Sequence, residues 1–248
     1  MIATDKFVSL PEFLNGSARS LISYPDLNLS AERLQEIKTL NVTGIYSFGA
    51  KRINRWYCLG LGYCGLVILV QYQGRMAALK VRRTDAPQAS FEKEAQMMAI
   101  ANRAQVGPQL LAHTDNFLVM DYAAGLPIGV WLTKEAKREQ AISIVFDLMH
   151  QAFRLDQIGL DHGNLRCVTE HVVVDSSPII LDFSSASNQR RAANVTTLVQ
   201  GLLWGTAIAQ HLQNLDILVD REQCIQQLRA YKKAPNLNSF KNVLALLF

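Results

Sequence analysis

The stretch CLGLGYCGLVILV, residues 58–70, holds three glycines in the spacing G-x-G-x-x-G: Gly60, Gly62 and Gly65. A run of this kind can close a strand and open a helix at once, or it can form the tip of a β-hairpin. The string itself does not choose, because the same spacing also arises in tight apolar turns. The residues after Gly65 decide the matter. LVILVQYQ is a β-rich segment, Gln73-Gly74-Arg75 marks a turn, and MAALKVRR reads as a second strand. The pattern predicts no helix until about residue 88. The hairpin reading wins, and the immediate strand-to-helix passage of a dinucleotide-binding fold is excluded.

Outward from the hairpin, the chain changes character once. Residues 1–30, broken by Pro11, Gly16 and Pro25, read as a loosely organised lead-in, and Ser30 caps a short helix predicted over 31–40. GIYSFGAKRINRWYCLGLG reads as extended segments with turns. SFEKEAQMMAIANRA (90–104) is a helix with Phe91, Ala95, Met98 and Ala99 on its apolar side, stopped at Val106-Gly107-Pro108. QLLAH and NFLVMDY are two further strands, broken by Ala123-Ala124-Gly125. Beyond them come a long helix over 134–158, two short β pieces (HVVVD and PIILDF), and helices from about 193 to the end, interrupted near Pro235. Strands with one helix thus precede a mostly helical half, with the division near residue 124. The expected domains are an extension over 1–45, a β-lobe over 46–122 and a helical lobe over 123–248.

Composition bounds the function. The 248 residues are 49% hydrophobic, enough for a substantial core, and the four cysteines (Cys58, Cys64, Cys167 and Cys224) show no C-x-x-C pairing. That favours a reducing, cytoplasmic setting. The formal charge of +4 is spread over small basic groups rather than a dense stripe, so an anionic small ligand is a better expectation than nucleic acid. Asp5 and Lys6 interrupt MIATDKFVSL before a signal-peptide core can form, and the apolar stretches at 58–70 and 198–209 are shorter than the roughly 18–20 residues of a membrane span. A soluble protein is expected.

Gly60-x-Gly62-x-x-Gly65-x-Val67, then Lys80 at the end of AALK and a helical glutamate, resembles the nucleotide-binding lobe of a protein kinase. Glu94 sits where kinases carry the lysine's partner. Glu92, two positions earlier, points about 200° away on a helix and cannot share that direction. The resemblance implies a two-lobed α+β fold with ATP between the lobes. Glycine backbone would approach the phosphates, Val67 would cover the adenine, and Lys80 would reach the α- and β-phosphates. FLVMDYAAG (117–125) resembles the kinase hinge, with Met120 beside the pocket and backbone contacts to adenine from the Asp121 carbonyl and the Ala123 amide.

LDHGNLRCVTEHVVV (160–174) followed by IILDFSSAS (179–187) resembles a catalytic loop and a metal-binding strand end. Asp182 would hold Mg2+ or Mn2+ against the nucleotide phosphates. The loop is similar to that of the atypical, Rio-like kinases, and in particular to prokaryotic predicted serine/threonine kinases with a D-H-G-[NQ]-L loop. Where the Rio-like pattern has an aspartate base this chain has Asn164, and an amide cannot accept a proton from a hydroxyl. Asp161 is then the nearby carboxylate able to substitute, unless it only caps a turn. Asn164 would orient a hydroxyl or help bind metal. His171, where the metal-binding asparagine would stand, is either a ligand or a structural histidine. After Asp182 there is no A-P-E and almost no room for an activation loop. The expected activity is ATP- and divalent-metal-dependent phosphoryl transfer to a serine or threonine hydroxyl. The alternatives are transfer to a small molecule, which a deep acidic pocket beside Asp161 would favour, and a nucleotide-binding pseudokinase serving as an interaction module.

Overall fold

The architecture is that of a computed structural model, which describes residues 3–26, 28, 30–134, 136–204 and 207–247. It is an α+β chain that divides into two compact units, residues 1–96 with 108–122, and residues 97–107 with 123–248.

The first unit runs β1 (Ala3–Ser9), α1 (Leu10–Asn15), a 3-10 turn (Ser17–Ser23), α2 (Ala31–Thr39), β2 (Val42–Phe48), β3 (Lys51–Ile53), β4 (Trp56–Cys58), β5 (Gly60–Leu61), β6 (Gly65–Tyr72) and β7 (Arg75–Arg82). Next come α3 (Glu92–Arg103), which continues into the second unit, β8 (Leu110–His113) and β9 (Phe117–Asp121). The main sheet is antiparallel in the order β1-β2-β6-β7-β9-β8, with β5 paired to the start of β6. β3 and β4 form a separate hairpin. The central strands are built from β-branched, leucine and alanine residues buried on both faces: Leu66, Ile68, Leu69 and Val70 of β6, and Ala77, Ala78, Leu79 and Val81 of β7. Gln73 and Gly74 join them with φ of 47° and 82°, the two positive values of a type I′ hairpin turn.

Two sequence expectations hold in detail here. Ser30 caps α2, its hydroxyl accepting from the Arg33 amide at 3.2 Å, and the 90–104 helix forms over Glu92–Arg103. The first 45 residues, however, do not stand apart. Strands β1 and β2 extend the sheet, and Val8, Leu10, Phe13, Leu21, Ile22, Ile37 and Ile45 share one core with Leu66, Ile68 and Leu79. The lead-in reads as disorganised because its apolar residues have no local period; their partners lie in strands formed much later in the chain.

The second unit contains β10 (Leu126–Pro127), α4 (Ile128–Lys134), α5 (Arg138–Gln157), the short α6 (Val168–His171), β11 (Val172–Val174) and β12 (Pro178–Ile180). It ends in α7 (Asn194–Leu203), α8 (Ala207–Asn214), α9 (Arg221–Lys233) and α10 (Leu237–Leu247). The three short strands pair antiparallel as β10-β11-β12. α5 buries Ala141, Ile144, Val145, Leu148, Met149, Ala152 and Leu155, a stripe at three- and four-residue spacing, and packs against α7 and β12. Among the described residues no helix is long and apolar enough to cross a membrane.

Candidate functional site

The glycine run is the tip of a hairpin. Gly60 pairs with Val67 and Leu61 with Leu66, and the Gly62 amide closes the turn onto the Gly65 carbonyl at 2.9 Å. Across β6 the register places Val67 opposite Lys80. Lys80 Nζ donates to Glu94 Oε1 at 2.6 Å, and the two residues are only 6% and 7% exposed. The ammonium also lies 5.5 Å from the Phe91 ring centre. Glu92 takes the other direction, as its helical phase requires: it is exposed, accepting from Gln96 and paired with His113 at the surface. The hydrogen bonds from Gln96 and His113 hold its carboxyl below the usual range.

The three glycines differ in what the fold asks of them. A Cβ at Gly65 would press on the Val81 carbonyl at 3.0 Å and on the Lys80 stem at 3.2 Å, so a side chain there would have to push strand β7 or the lysine aside by a few tenths of an ångström. At Gly60 and Gly62 a Cβ would meet nothing nearer than 3.8 and 3.7 Å, ordinary contact distances. Neither has a positive φ. The fold has room for alanine at both.

Strand β9 carries the hinge-like residues. Met120 lies opposite Ala78 and Asp121 opposite Ala77 in the sheet. The Asp121 amide donates to the Gln109 carbonyl at 2.9 Å, and its half-exposed carboxylate pairs with Arg75 at 2.9 Å. Ala123 is the first residue assigned to the second unit after this strand.

In the second unit the loop 160–164 is pinned by groups from far along the chain. Asp161 forms a two-way backbone bridge with Ser187, its amide donating at 2.9 Å and its carbonyl accepting at 2.8 Å. Both of its carboxylate oxygens are engaged, Oδ2 by Arg190 Nε and Oδ1 by the Ala193 amide at 3.2 Å. Arg190 also donates to the Ser185 carbonyl, and a side chain at Gly163, whose φ is +85°, would collide with the guanidinium. The buried Asn194 accepts from the His162 amide at 2.8 Å and donates to the Leu160 carbonyl at 2.7 Å. Asp156 in turn holds the first turn of α7, accepting from the Asn194 and Val195 amides and from the Tyr231 hydroxyl; burial raises its pKa, those hydrogen bonds notwithstanding.

Asp182 is positioned by its neighbours. His162 is fully buried, with its ring edge-on to Phe183 at 5.1 Å. It lies 3.0 Å from the Leu181 carbonyl, which can only accept, so the proton sits on Nε2. The Leu181 amide donates to the His171 carbonyl at 2.8 Å. With residue 181 held from both sides, Asp182 comes next at φ +65°, a backbone state unusual for a residue other than glycine, and its side chain is exposed. Asn164 Nδ2 and His171 Nε2 meet at 2.9 Å, with His171 buried. Among the described residues, no three His, Cys, Asp or Glu side chains cluster as a self-contained metal site. A Mg2+ bound partly through phosphates and water needs only one or two protein oxygens, and the Asp182 carboxylate and the Asn164 amide oxygen are donors of that kind. His171 meets the Asn164 amide through Nε2, while its buried Nδ1 has no hydrogen-bond partner among the described residues.

The burial of His162 has a consequence for stability. Desolvation lowers its pKa from 6.5 to about 4, since a proton on Nδ1, which is buried without a partner, would charge an apolar pocket. The unfolded chain binds this proton first as pH falls, so the stabilisation is full above pH 6.5 and lost on descent toward pH 4, up to about 3 kcal/mol. In denaturant melts, the stability gap between wild type and His162→Gln is expected to narrow over that window. A gap constant from pH 7 to pH 4 would show that the ring is not held neutral.

Sequence reasoning does not single out Arg190 or Asn194 as site-forming. The Arg190-Arg191 pair is visible as charge, and Asn194 as a polar residue opening an apolar helix, but their partners lie 29 to 34 positions away.

No protein-family model matches the chain. It is similar to an uncharacterized protein of Methanocaldococcus jannaschii, with 24% identity over 98 residues, which is 39% of this chain and 84% of that protein.

Proposed function

We propose that the chain is an ATP- and divalent-metal-dependent phosphotransferase with a two-lobed kinase-like fold, of the Rio-like atypical group, acting on a serine or threonine hydroxyl. The observation that carries this reading is the buried Lys80–Glu94 pair against the glycine hairpin. A buried ion pair contributes little net stability compared with apolar packing, so its presence between the apolar strand β7 and α3 calls for a use. A buried lysine paired with the Glu94 carboxylate, with its stem against Gly65, is suited to nucleotide phosphates. Glycine at 60 and 62, where the fold would accept alanine, fits a turn that a ligand must approach closely.

In this reading Gly60, Gly62 and Gly65 offer backbone to the phosphates, and Val67 with Met120 flanks the base. The Asp121 carbonyl and Ala123 amide read the adenine edge. Lys80 neutralises the α- and β-phosphates and Glu94 keeps it aimed. Asp182 and Asn164 hold the metal, and His171 fixes the Asn164 amide. The metal, when bound with the nucleotide, offsets charge on the transferred phosphoryl oxygens. Most of the rate then comes from positioning and charge neutralisation, for which a strong base is not required. Asp161, held by Arg190 and the Ala193 amide, braces the loop; as a base it would have to give up one of those partners. The same pairing disfavours a cationic small-molecule acceptor, since Arg190 occupies the carboxylate such a substrate would seek.

The test is label transfer from γ-labelled ATP with Mg2+ or Mn2+, to itself and to a generic protein acceptor, for wild type, Asn164→Ala and Asp161→Ala. Transfer lost with Asn164→Ala, and Asp161→Ala impaired in step with its lowered melting temperature, is expected. A well-folded Asp161→Ala without activity would return the base role to Asp161. Wild type that binds ATP and transfers nothing in either metal would favour the interaction module.

A further inference from the structure

The Gly62–Gly65 turn is gripped from one side by Arg83. The Arg83 amide donates to the Cys64 carbonyl at 3.0 Å and its guanidinium Nη1 to the Gly62 carbonyl at 3.3 Å. The guanidinium is itself fixed. Its Nε and Nη2 reach the two oxygens of Asp85 at 2.8 and 2.7 Å, a bidentate pairing that lysine cannot copy. It also lies 5.3 Å from the centre of the Tyr24 ring. The segment carrying that ring is tied to the same strand end, because the Tyr24 carbonyl accepts from the Thr84 amide at 3.0 Å. One residue before Arg83, the Arg82 carbonyl accepts from the buried Arg33 at 2.7 Å, and Arg33 also donates to the Ile22 carbonyl at 2.8 Å. The N-terminal segment thus holds Arg83, and Arg83 holds the turn.

Peptide planarity turns this grip into a directional statement. A carbonyl drawn toward a donor sends the N–H of the same peptide the opposite way, so the Tyr63 amide faces away from the guanidinium and the Gly65 amide away from the Arg83 backbone. Among the described residues, the amides of Tyr63 and Cys64 donate to no acceptor in the chain. Successive undonated amides in a tight turn form a concavity for an anionic oxygen. The turn is compatible with that role only if it is already shaped, since ordering it on binding would weaken affinity.

We propose that Arg83 is a positioning residue for this turn, presetting its amides for nucleotide phosphate without contacting the nucleotide, its own charge being matched by Asp85. The inference rests on the phosphotransferase reading and adds the device that shapes its phosphate cradle. Its signature is selective: binding that depends on phosphate weakens, and binding through the base does not.

The experiment is calorimetric titration of the full chain with Mg-ATP and with adenosine, for wild type, Arg83→Ala and Arg83→Lys, with amide exchange over residues 62–65 in the nucleotide-free protein. Arg83→Ala is expected to weaken Mg-ATP about tenfold, leave adenosine within about twofold and speed exchange at the turn, with Arg83→Lys between the two. Unchanged Mg-ATP affinity in Arg83→Ala, or an equal loss for adenosine, overturns the positioning role while leaving the phosphotransferase reading standing. Wild type that binds neither ligand overturns both.

Discussion

Lys80→Ala is expected to lose label transfer by at least about a hundredfold and, in the same protein, to lose about 3–5 kcal/mol of stability. The two losses have different origins. Lys80 is 6% exposed and its ammonium sits 2.6 Å from a carboxylate that is 7% exposed, so truncation takes a buried cation away from the Glu94 carboxylate of α3. The catalytic loss arises because a fixed positive charge in a low-dielectric site does what mobile water cannot. Since a single variant conflates them, the decisive protein is Lys80→Met combined with Glu94→Leu. It replaces the pair with apolar groups of similar volume and is expected to melt near wild type while remaining inactive. Urea melts beside γ-label transfer read both quantities. If that double variant transfers phosphate at the wild-type rate, the pair is structural and the nucleotide assignment fails with it.

Why this pair is legible in sequence, and other parts of the candidate site are not, is a matter of range. The hairpin announces itself through a glycine run, a β-rich strand and a Gln-Gly turn within 25 residues of chain, 58–82. Choosing Glu94 over Glu92 needs only helical phase and the apolar neighbours Phe91 and Ala95, both buried in the structure. The residues 3–23 carry no such pattern, because the core that Phe13 and Leu21 join is completed by strands that begin at residue 42 or later. The sequence predicts one long helix from 134, but α4 ends at Lys134 and α5 begins at Arg138. No glycine or proline marks that break: the intervening residues are good helix formers, and propensity alone cannot locate it. At the catalytic-loop-like segment, Asp161 is readable as a carboxylate beside His162. Its engagement by Arg190 and Ala193 is not, since nothing local specifies a partner 29 or 32 positions on. Arg83 is visible as part of a basic dipeptide; only the fold shows its hand on Gly62.

Asp182→Asn is expected to cut phosphoryl transfer by roughly a hundred- to a thousandfold while leaving the fold intact. The choice of asparagine comes from the backbone. Asp182 holds φ +65°, a conformation that asparagine tolerates and alanine resists, so Asp182→Ala would add a strain of about 1 kcal/mol and blur the result. The amide can also keep its oxygen toward the Ser184 amide, which Asp182 Oδ1 now accepts at 3.2 Å. The substitution removes one negative charge from an exposed side chain whose backbone is clamped by the His162 ring and the His171 carbonyl through Leu181. In the proposed reading, an exposed carboxylate on so firmly held a backbone serves a hard cation delivered with a nucleotide. The variant is therefore expected to melt with wild type, to bind Mg-ATP more weakly than metal-free ATP relative to wild type, and to be partly restored by raising the metal concentration. Activity indifferent to the substitution, with melting also unchanged, would remove Asp182 from the metal site and shift attention to the Asn164–His171 pair. Loss of activity accompanied by an equal loss of thermal stability would mean that the charge serves the loop and not the reaction.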